Sequence, residues 1–122
     1  MKASYHARNS SLRYGGKAED YFKIHEFMDY SCEFIKDNRH ASLLHSDFGI
    51  SLALKVFGEQ ILNSDNVYVK TSDIIEDHII EDFGFIPTIE EWFEKMTLPE
   101  WAIHIGKLEN VDNTKIKIPR KK

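Results

Sequence analysis

The chain has a single cysteine, Cys32, so no internal disulfide can form and a stapled secreted scaffold is excluded. No stretch approaches the roughly 18 consecutive apolar residues of a membrane-spanning helix. Residues 1–11 hold no hydrophobic run of the secretory kind. These absences predict a protein of the cytoplasm with no membrane attachment. Nucleotide signatures are missing too. Gly15-Gly16-Lys17 has neither the preceding glycine nor the following Ser/Thr of a phosphate loop, so it reads as a turn before a helix and no nucleotide cofactor is expected. There is no Gly-x-Ser-x-Gly elbow and no His-Asp dipeptide of the HD phosphohydrolases.

What is present is an ordinary globular composition, 42% hydrophobic and 30% charged over 122 residues, enough for one domain with its own core. The net charge of −4 conceals a strong segregation. All 20 acidic residues lie between Glu19 and Asp112. The ends are basic, with Lys2, Arg8, Arg13 and Lys17 before this body and Lys115, Lys117, Arg120, Lys121 and Lys122 after it. This divides the chain into a basic N-terminal arm (1–17), a helical domain (18–106) and a basic tail (107–122). Basic ends and an acidic body favour homo-oligomer formation through arm and tail, whereas the acidic body would repel a nucleic-acid backbone.

Periodicity predicts a mainly α fold, a compact bundle of about five helices with one short β-hairpin at 60–70. Tyr21, Ile24, Met28, Cys32 and Ile35 recur at helical spacing within a first helix over 18–36, which makes Cys32 a small buried apolar residue. Asn38 or Ser42 starts a second helix ending near Phe57, apolar nearly all round and therefore expected at the centre of the fold. Asp73 with Glu76 starts a third that Gly84 stops, and Thr88 with Glu91 has the spacing of a capping box for a fourth. Thr97, Pro99 and Glu100 begin a last short helix. Trp92 and Trp101 read as core or interface anchors.

Six histidines carry the chemical interest: His6, His25, His40, His45, His78 and His104. Imidazole is the commonest metal ligand and the usual general base near neutral pH. His25 precedes Asp29 by four residues and His78 precedes Asp82 by four, which places each pair on one helix face. His25 falls inside the apolar face of the first helix. His78 and Asp82 fall together on the apolar arc of the third, where an unpaired polar group is costly. His40 and His45 share a site only if their helix begins near Ser42. A histidine on an apolar face is also the ordinary hydrogen-bonded core residue, and spacing alone does not separate the two readings.

The spaced pattern resembles an uncharacterised family of small bacterial and phage proteins. The matching pieces are His6-Ala7-Arg8 with Ser10, Gly15-Gly16-Lys17, Glu19-Asp20-Tyr21, Ile24-His25 with Asp29, Arg39-His40, His45, Gly49-Ile50 and Phe57-Gly58. Glu76, His78, Glu81-Asp82, Gly84, Ile86-Pro87-Thr88 and Trp92 complete it. The resemblance implies a shared framework and selects His6, His25, His40, His45 and His78 while leaving out His104. One departure is Leu54, where the family pattern has a glutamate shortly before Phe-Gly.

The sequence thus yields two expectations. The first is a metal-dependent hydrolase acting on a phosphoester, with Zn²⁺, Mn²⁺ or Fe²⁺ held among His25, Asp29, His40, His45 and His78. His78 and Asp82 would be catalytic, and His6, Arg8 and Arg39 would bind substrate. The second is a non-enzymatic interaction protein, phage-encoded and binding a host protein or small ligand, in which the histidines are structural.

Overall fold

A computed structural model describes residues 1–103, 106, 109, 112 and 114. His104 and nearly all of the basic tail lie outside the described residues. The described chain is mainly helical: α1 (Ala3–Tyr14), α2 (Glu19–Met28), α3 (Asp47–Phe57), α4 (Thr71–Phe83), α5 (Ile89–Glu94) and α6 (Glu100–Ile103). Strands β1 (Gln60–Leu62) and β2 (Tyr68–Lys70) form the expected antiparallel hairpin, with Ile61 opposite Val69. None of the described helices is long and apolar enough to cross a membrane.

Segment 1–17, expected as a basic arm, folds as α1. Its buried stripe is His6, Ala7 and Ser10, so the face that packs is small and polar, and hydrophobic periodicity does not reveal it. Gly15, at φ 85°, stops the helix. The following turn is held by Asp20, whose carboxylate accepts from the amides of Lys17 and Ser64 and from the Ser64 hydroxyl. Asn63 ties the hairpin to the helices. Its side-chain oxygen accepts from the amides of Asp65 and Val67, and its amide nitrogen donates to the Tyr14 carbonyl and the Tyr21 hydroxyl.

The first predicted helix is half its expected length. It ends at Met28, and Tyr30–Glu33 form a 3-10 turn instead. Ser31 lies in that turn and its hydroxyl donates to the His40 carbonyl at 2.7 Å, an attachment that competes with helical continuation. Cys32 is consequently exposed, not buried. The second predicted helix likewise begins later: Asp37 caps a 3-10 turn over Asn38–Ser42, and Ser46 is the N-cap of α3.

The central helix is α4, not α3. On α3 only Gly49 and Ala53 are buried, and Phe48 and Val56 are about half exposed. α4 buries Thr71, Ile74, Ile75, His78 and Ile79 and packs against α1, α2, α3 and the hairpin. Its core partners include Tyr21, Ile24 and Met28 of α2, Ala53 of α3 and Val69 of β2. Gly84, in the left-handed conformation, stops α4 as expected. Thr88 and Glu91 form the capping box of α5. Trp92 is partly buried with its indole N–H on the His45 carbonyl at 2.9 Å, whereas Trp101 is 83% exposed and anchors nothing in the core.

Candidate metal centre

Four elements bring a histidine–carboxylate cluster together. α1 supplies His6 and Ser10, and α2 supplies His25 and, at its C-terminus, Asp29. The turn before α3 supplies His45, and α4 supplies His78, Glu81 and Asp82. His6, His25, His45 and His78 are all at most 1% exposed. Four of the five histidines selected in the sequence therefore converge on one region of the core.

Within that region two groups have the composition of a metal site, His6–His25–His78 and Asp29–His45–His78–Asp82. Geometry separates them. The imidazoles of His6 and His78 are stacked at 3.7 Å between centroids, whereas His25 lies nearly coplanar with His78, 18° apart, and meets it edge to edge. Stacked rings present π faces to one another, while the lone pairs that bind a metal lie in the ring planes. In addition His25 Nδ1 and His78 Nδ1 are already hydrogen-bonded at 2.8 Å. The first group is one stacked pair with a third ring hydrogen-bonded to its edge, and its nitrogens do not converge on a common point.

The second group is arranged differently. The rings of His45 and His78 meet nearly edge to face, 68° apart. His45 Nε2 lies 2.9 Å from Asp82 Oδ2 and 3.5 Å from Asp29 Oδ1. His78 Nε2 lies 3.2 Å from Asp29 Oδ1 and 3.5 Å from Asp82 Oδ2. Imidazole nitrogen and carboxylate oxygen thus alternate around a ring. Ligands about 2.0–2.1 Å from a tetrahedral cation stand about 3.3 Å apart, and around a six-coordinate cation neighbouring ligands stand about 3.0 Å apart. The observed separations cover both values. Two carboxylates also neutralise a divalent charge, which a buried site requires.

The surrounding groups fix this cluster. His6 Nδ1 contacts Glu81 Oε1 at 2.6 Å and His6 Nε2 lies 3.2 Å from Asp82 Oδ1, inside ion-pair range though outside hydrogen-bond alignment. Burial alone would lower the His6 pKa, but the two carboxylates outweigh it and leave it raised. Burial would likewise raise Asp82, yet His45 and His6 hold its carboxyl well below the usual range. Glu81 follows the same pattern, with His6 and Arg13 overcoming the effect of burial. His25 is the opposite case: burial, reinforced by His78 and His6, pushes it down to about 2, so it is neutral. His78 is lowered by burial despite the opposing influence of Asp29.

Asp29, His45 and Asp82 line a groove of about 1350 Å³ whose walls include Phe27, Phe57 and Phe83. His40 also lines it. Its ring centroid is 6.1 Å from that of His45, and it does not belong to the four-residue group. His25 too stands apart, one hydrogen bond behind His78. Neither Arg8 nor Arg39 lines the groove, and Arg39 is bonded to Asp37 with its side chain 78% exposed. Lysines 2 and 23 line the groove instead. The sequence reading did not single out Lys23, counted Lys2 only within the basic arm, and gave Ser10 and Glu81 only as pieces of the family pattern with no role of their own. Ser10 stands one helical turn after His6, and Glu81 stands beside Asp82, so each had a spacing signal but no apolar pattern to make it visible.

No curated protein and no solved structure matches the chain. A family model described as a domain of unknown function, DUF6915, matches residues 1–102, and the chain belongs to that family.

Proposed function

We propose that this protein is a divalent-metal hydrolase, with Asp29, His45, His78 and Asp82 as the metal ligands and the adjoining groove as the substrate site. The observation that carries the reading is the closed alternation of two imidazole nitrogens and two carboxylate oxygens, 2.9 to 3.5 Å apart, at the wall of an open groove. A cation there supplies Lewis acidity and lowers the pKa of water. The phosphoester assignment rests on charge. Lys2 and Lys23 on the groove lining suit an anionic group, and Phe27, Phe57 and Phe83 suit an apolar substituent on the same substrate.

Coordination number separates a catalytic from a structural role. Four protein ligands complete a tetrahedral Zn²⁺ and leave it closed, whereas six-coordinate Mn²⁺ or Fe²⁺ retains two positions for substrate and water. The hydrolytic reading therefore expects Zn²⁺ to bind without activity and Mn²⁺ or Fe²⁺ to support turnover. The test is metal analysis of untagged protein, followed by reconstitution and assay against aryl and nucleoside phosphomonoesters and diesters. About one metal per chain, lost in Asp82→Asn and in His45→Ala, supports the centre. Less than a tenth of a metal after reconstitution removes it.

A second reading, a binding protein without turnover, is favoured by exposed aromatics beside the groove. Tyr30 and Phe34 are 56% and 71% exposed and pack edge to face on each other. Stoichiometric metal with no hydrolysis under any of the three cations would favour this reading.

A further inference from the structure

Behind the metal ligand His78 runs a buried chain of hydrogen bonds that no coordinating role explains. His78 Nδ1 meets His25 Nδ1 at 2.8 Å, and His25 Nε2 meets the Ser10 hydroxyl at 2.7 Å. All three residues are fully buried. Histidine ligands ordinarily back onto a carboxylate, a carbonyl or water, which fixes the ring and its tautomer. Here the backing group is a second imidazole, which can either donate or accept.

The two nitrogens that face each other at 2.8 Å cannot both carry hydrogen, and among the described residues His25 has no carboxylate in hydrogen-bond reach to hold a second proton, its other nitrogen facing the Ser10 hydroxyl. One proton therefore sits between them, and its owner is decided at the far side of His78. In metal-free protein, His78 Nε2 faces the Asp29 and Asp82 carboxylates at 3.2 and 3.5 Å and must be protonated to meet them. Its Nδ1 is then bare, His25 donates from Nδ1, and His25 Nε2 accepts from Ser10. With a cation on His78 Nε2, that atom must be bare. His78 then donates from Nδ1, His25 accepts at Nδ1, and His25 Nε2 donates to the Ser10 oxygen.

We propose that Ser10 and His25 are positioning residues for the metal ligand His78, and that cation binding reverses the direction of every hydrogen bond in the chain Ser10–His25–His78. The proposal rests on the metal reading above and extends it to α1 and α2. Protons balance. The proton on His78 Nε2 leaves to solvent, the proton on His25 Nδ1 passes to His78 Nδ1, and His25 Nε2 takes one proton from solvent. Each imidazole keeps one proton throughout, so binding through this chain changes tautomers and not charge. His45 offers an internal contrast, because its Nδ1 is buried without a hydrogen-bond partner and no such chain stands behind it.

The test is ¹⁵N spectroscopy of histidine-labelled full-length protein, first treated with chelator and then titrated with Zn²⁺. In the chelated protein His25 is expected as the Nδ1–H tautomer and His78 as Nε2–H. With Zn²⁺ bound, His25 becomes Nε2–H without showing metal coordination, and His78 becomes Nδ1–H with its Nε2 signal shifted by the metal. His25→Leu is expected to weaken Zn²⁺ binding about 10- to 100-fold, and His25→Gln, whose amide can accept at the same place, to recover most of the loss. If Zn²⁺ binds and His25 keeps its tautomer, or coordinates the metal itself, the relay is wrong while the metal centre stands. If His25 is already Nε2–H in the chelated protein, the relay is wrong whatever the metal does. If Zn²⁺ does not bind the wild-type chain, the metal reading fails and the relay falls with it.

Discussion

Gly49→Ala tests whether the turn that delivers His45 is held as tightly as its packing implies. Gly49 lies in the first turn of α3, and a Cβ built there would sit 1.6 Å from the Leu44 carbonyl oxygen and 2.3 Å from its carbon. Real Cβ contacts do not fall below 3.0 Å, so the Leu44 carbonyl must retreat by about 1.4 Å. The obstacle is backbone, which cannot rotate aside as the tip of a side chain would. His45 is the next residue, and the Ser46 side chain caps α3 on the Gly49 amide, so the displacement falls on the ligand and on the cap together. Overpacking of this kind costs about 1–3 kcal/mol, and the backbone contact places Gly49→Ala near about 3 kcal/mol. With a urea m value of about 1.5 kcal/mol/M, the unfolding midpoint should fall by about 2 M. Gly58→Ala is the control. Its Cβ would meet nothing within 4 Å, and only its φ of 84° opposes the change, so about 1 kcal/mol is expected. Urea melts of chelated protein measure stability, and calorimetric Zn²⁺ titration reports the site, where Gly49→Ala should lose about tenfold or more in affinity. A Gly49→Ala midpoint within about 0.3 M of wild type, or a larger loss at Gly58, would refute the packing argument.

Acidification should destabilise the chelated protein. His25 and His78 are held below the ordinary value of about 6.5, so the unfolded chain binds more protons than the folded one as pH falls through that value. Stability should drop below about pH 6.5 by up to about 1.4 kcal/mol per pH unit for each. His6, raised in the folded state, adds stability that is fully present below about pH 6.5 and lost as pH rises through its folded pKa, so it does not cancel the acid loss. Chemical denaturation at pH 7.5, 6.5 and 5.5 checks this, and a flat profile would contradict buried neutral imidazoles. His25→Gln should reduce the slope. Asn63→Ala should cost about 2–3 kcal/mol, because it strips hydrogen bonds from the hairpin turn and leaves the Tyr21 hydroxyl with one partner fewer. Thermal melts of Asn63→Ala against Asn63→Asp measure that loss, and an unchanged Tm for both would show the link to be dispensable. Trp92→Phe should keep the ring packing on Phe83 and lose only the bond to the His45 carbonyl, costing about 1 kcal/mol in the same melts.

Legibility in the sequence followed the apolar residues. α4, the hairpin and the α5 capping box are visible because Ile74, Ile75 and Ile79, the Val67–Val69 run, and Thr88 with Glu91 write their periods openly. α1 is illegible by the same criterion. Its packed face is His6, Ala7 and Ser10, and a helix that buries polar groups for their hydrogen bonds has the composition of an exposed arm. α3 misleads in the reverse direction, since a run of Leu, Val and Phe suggests full burial while Phe48 and Val56 stand in solvent. The histidines on helical faces were recognisable as a set, but their ranks were not. Which of His25, His40 and His45 stands beside Asp29 depends on where α2 ends and α3 begins, and both boundaries are fixed by long-range bonds such as Ser31 to the His40 carbonyl.

Apart from His78 and Asp82, one turn apart on α4, the ring of four groups has no local origin. His78 and Asp29 are 49 residues apart in the chain, and His45 and Asp82 are 37 apart. No fragment carrying one helix, or even a neighbouring pair, contains the whole set, so a peptide mimic has nothing to chelate with. Any ion gripped there would draw on the conformational entropy of the entire polypeptide, and its release would be felt as loosening from one end of the molecule to the other.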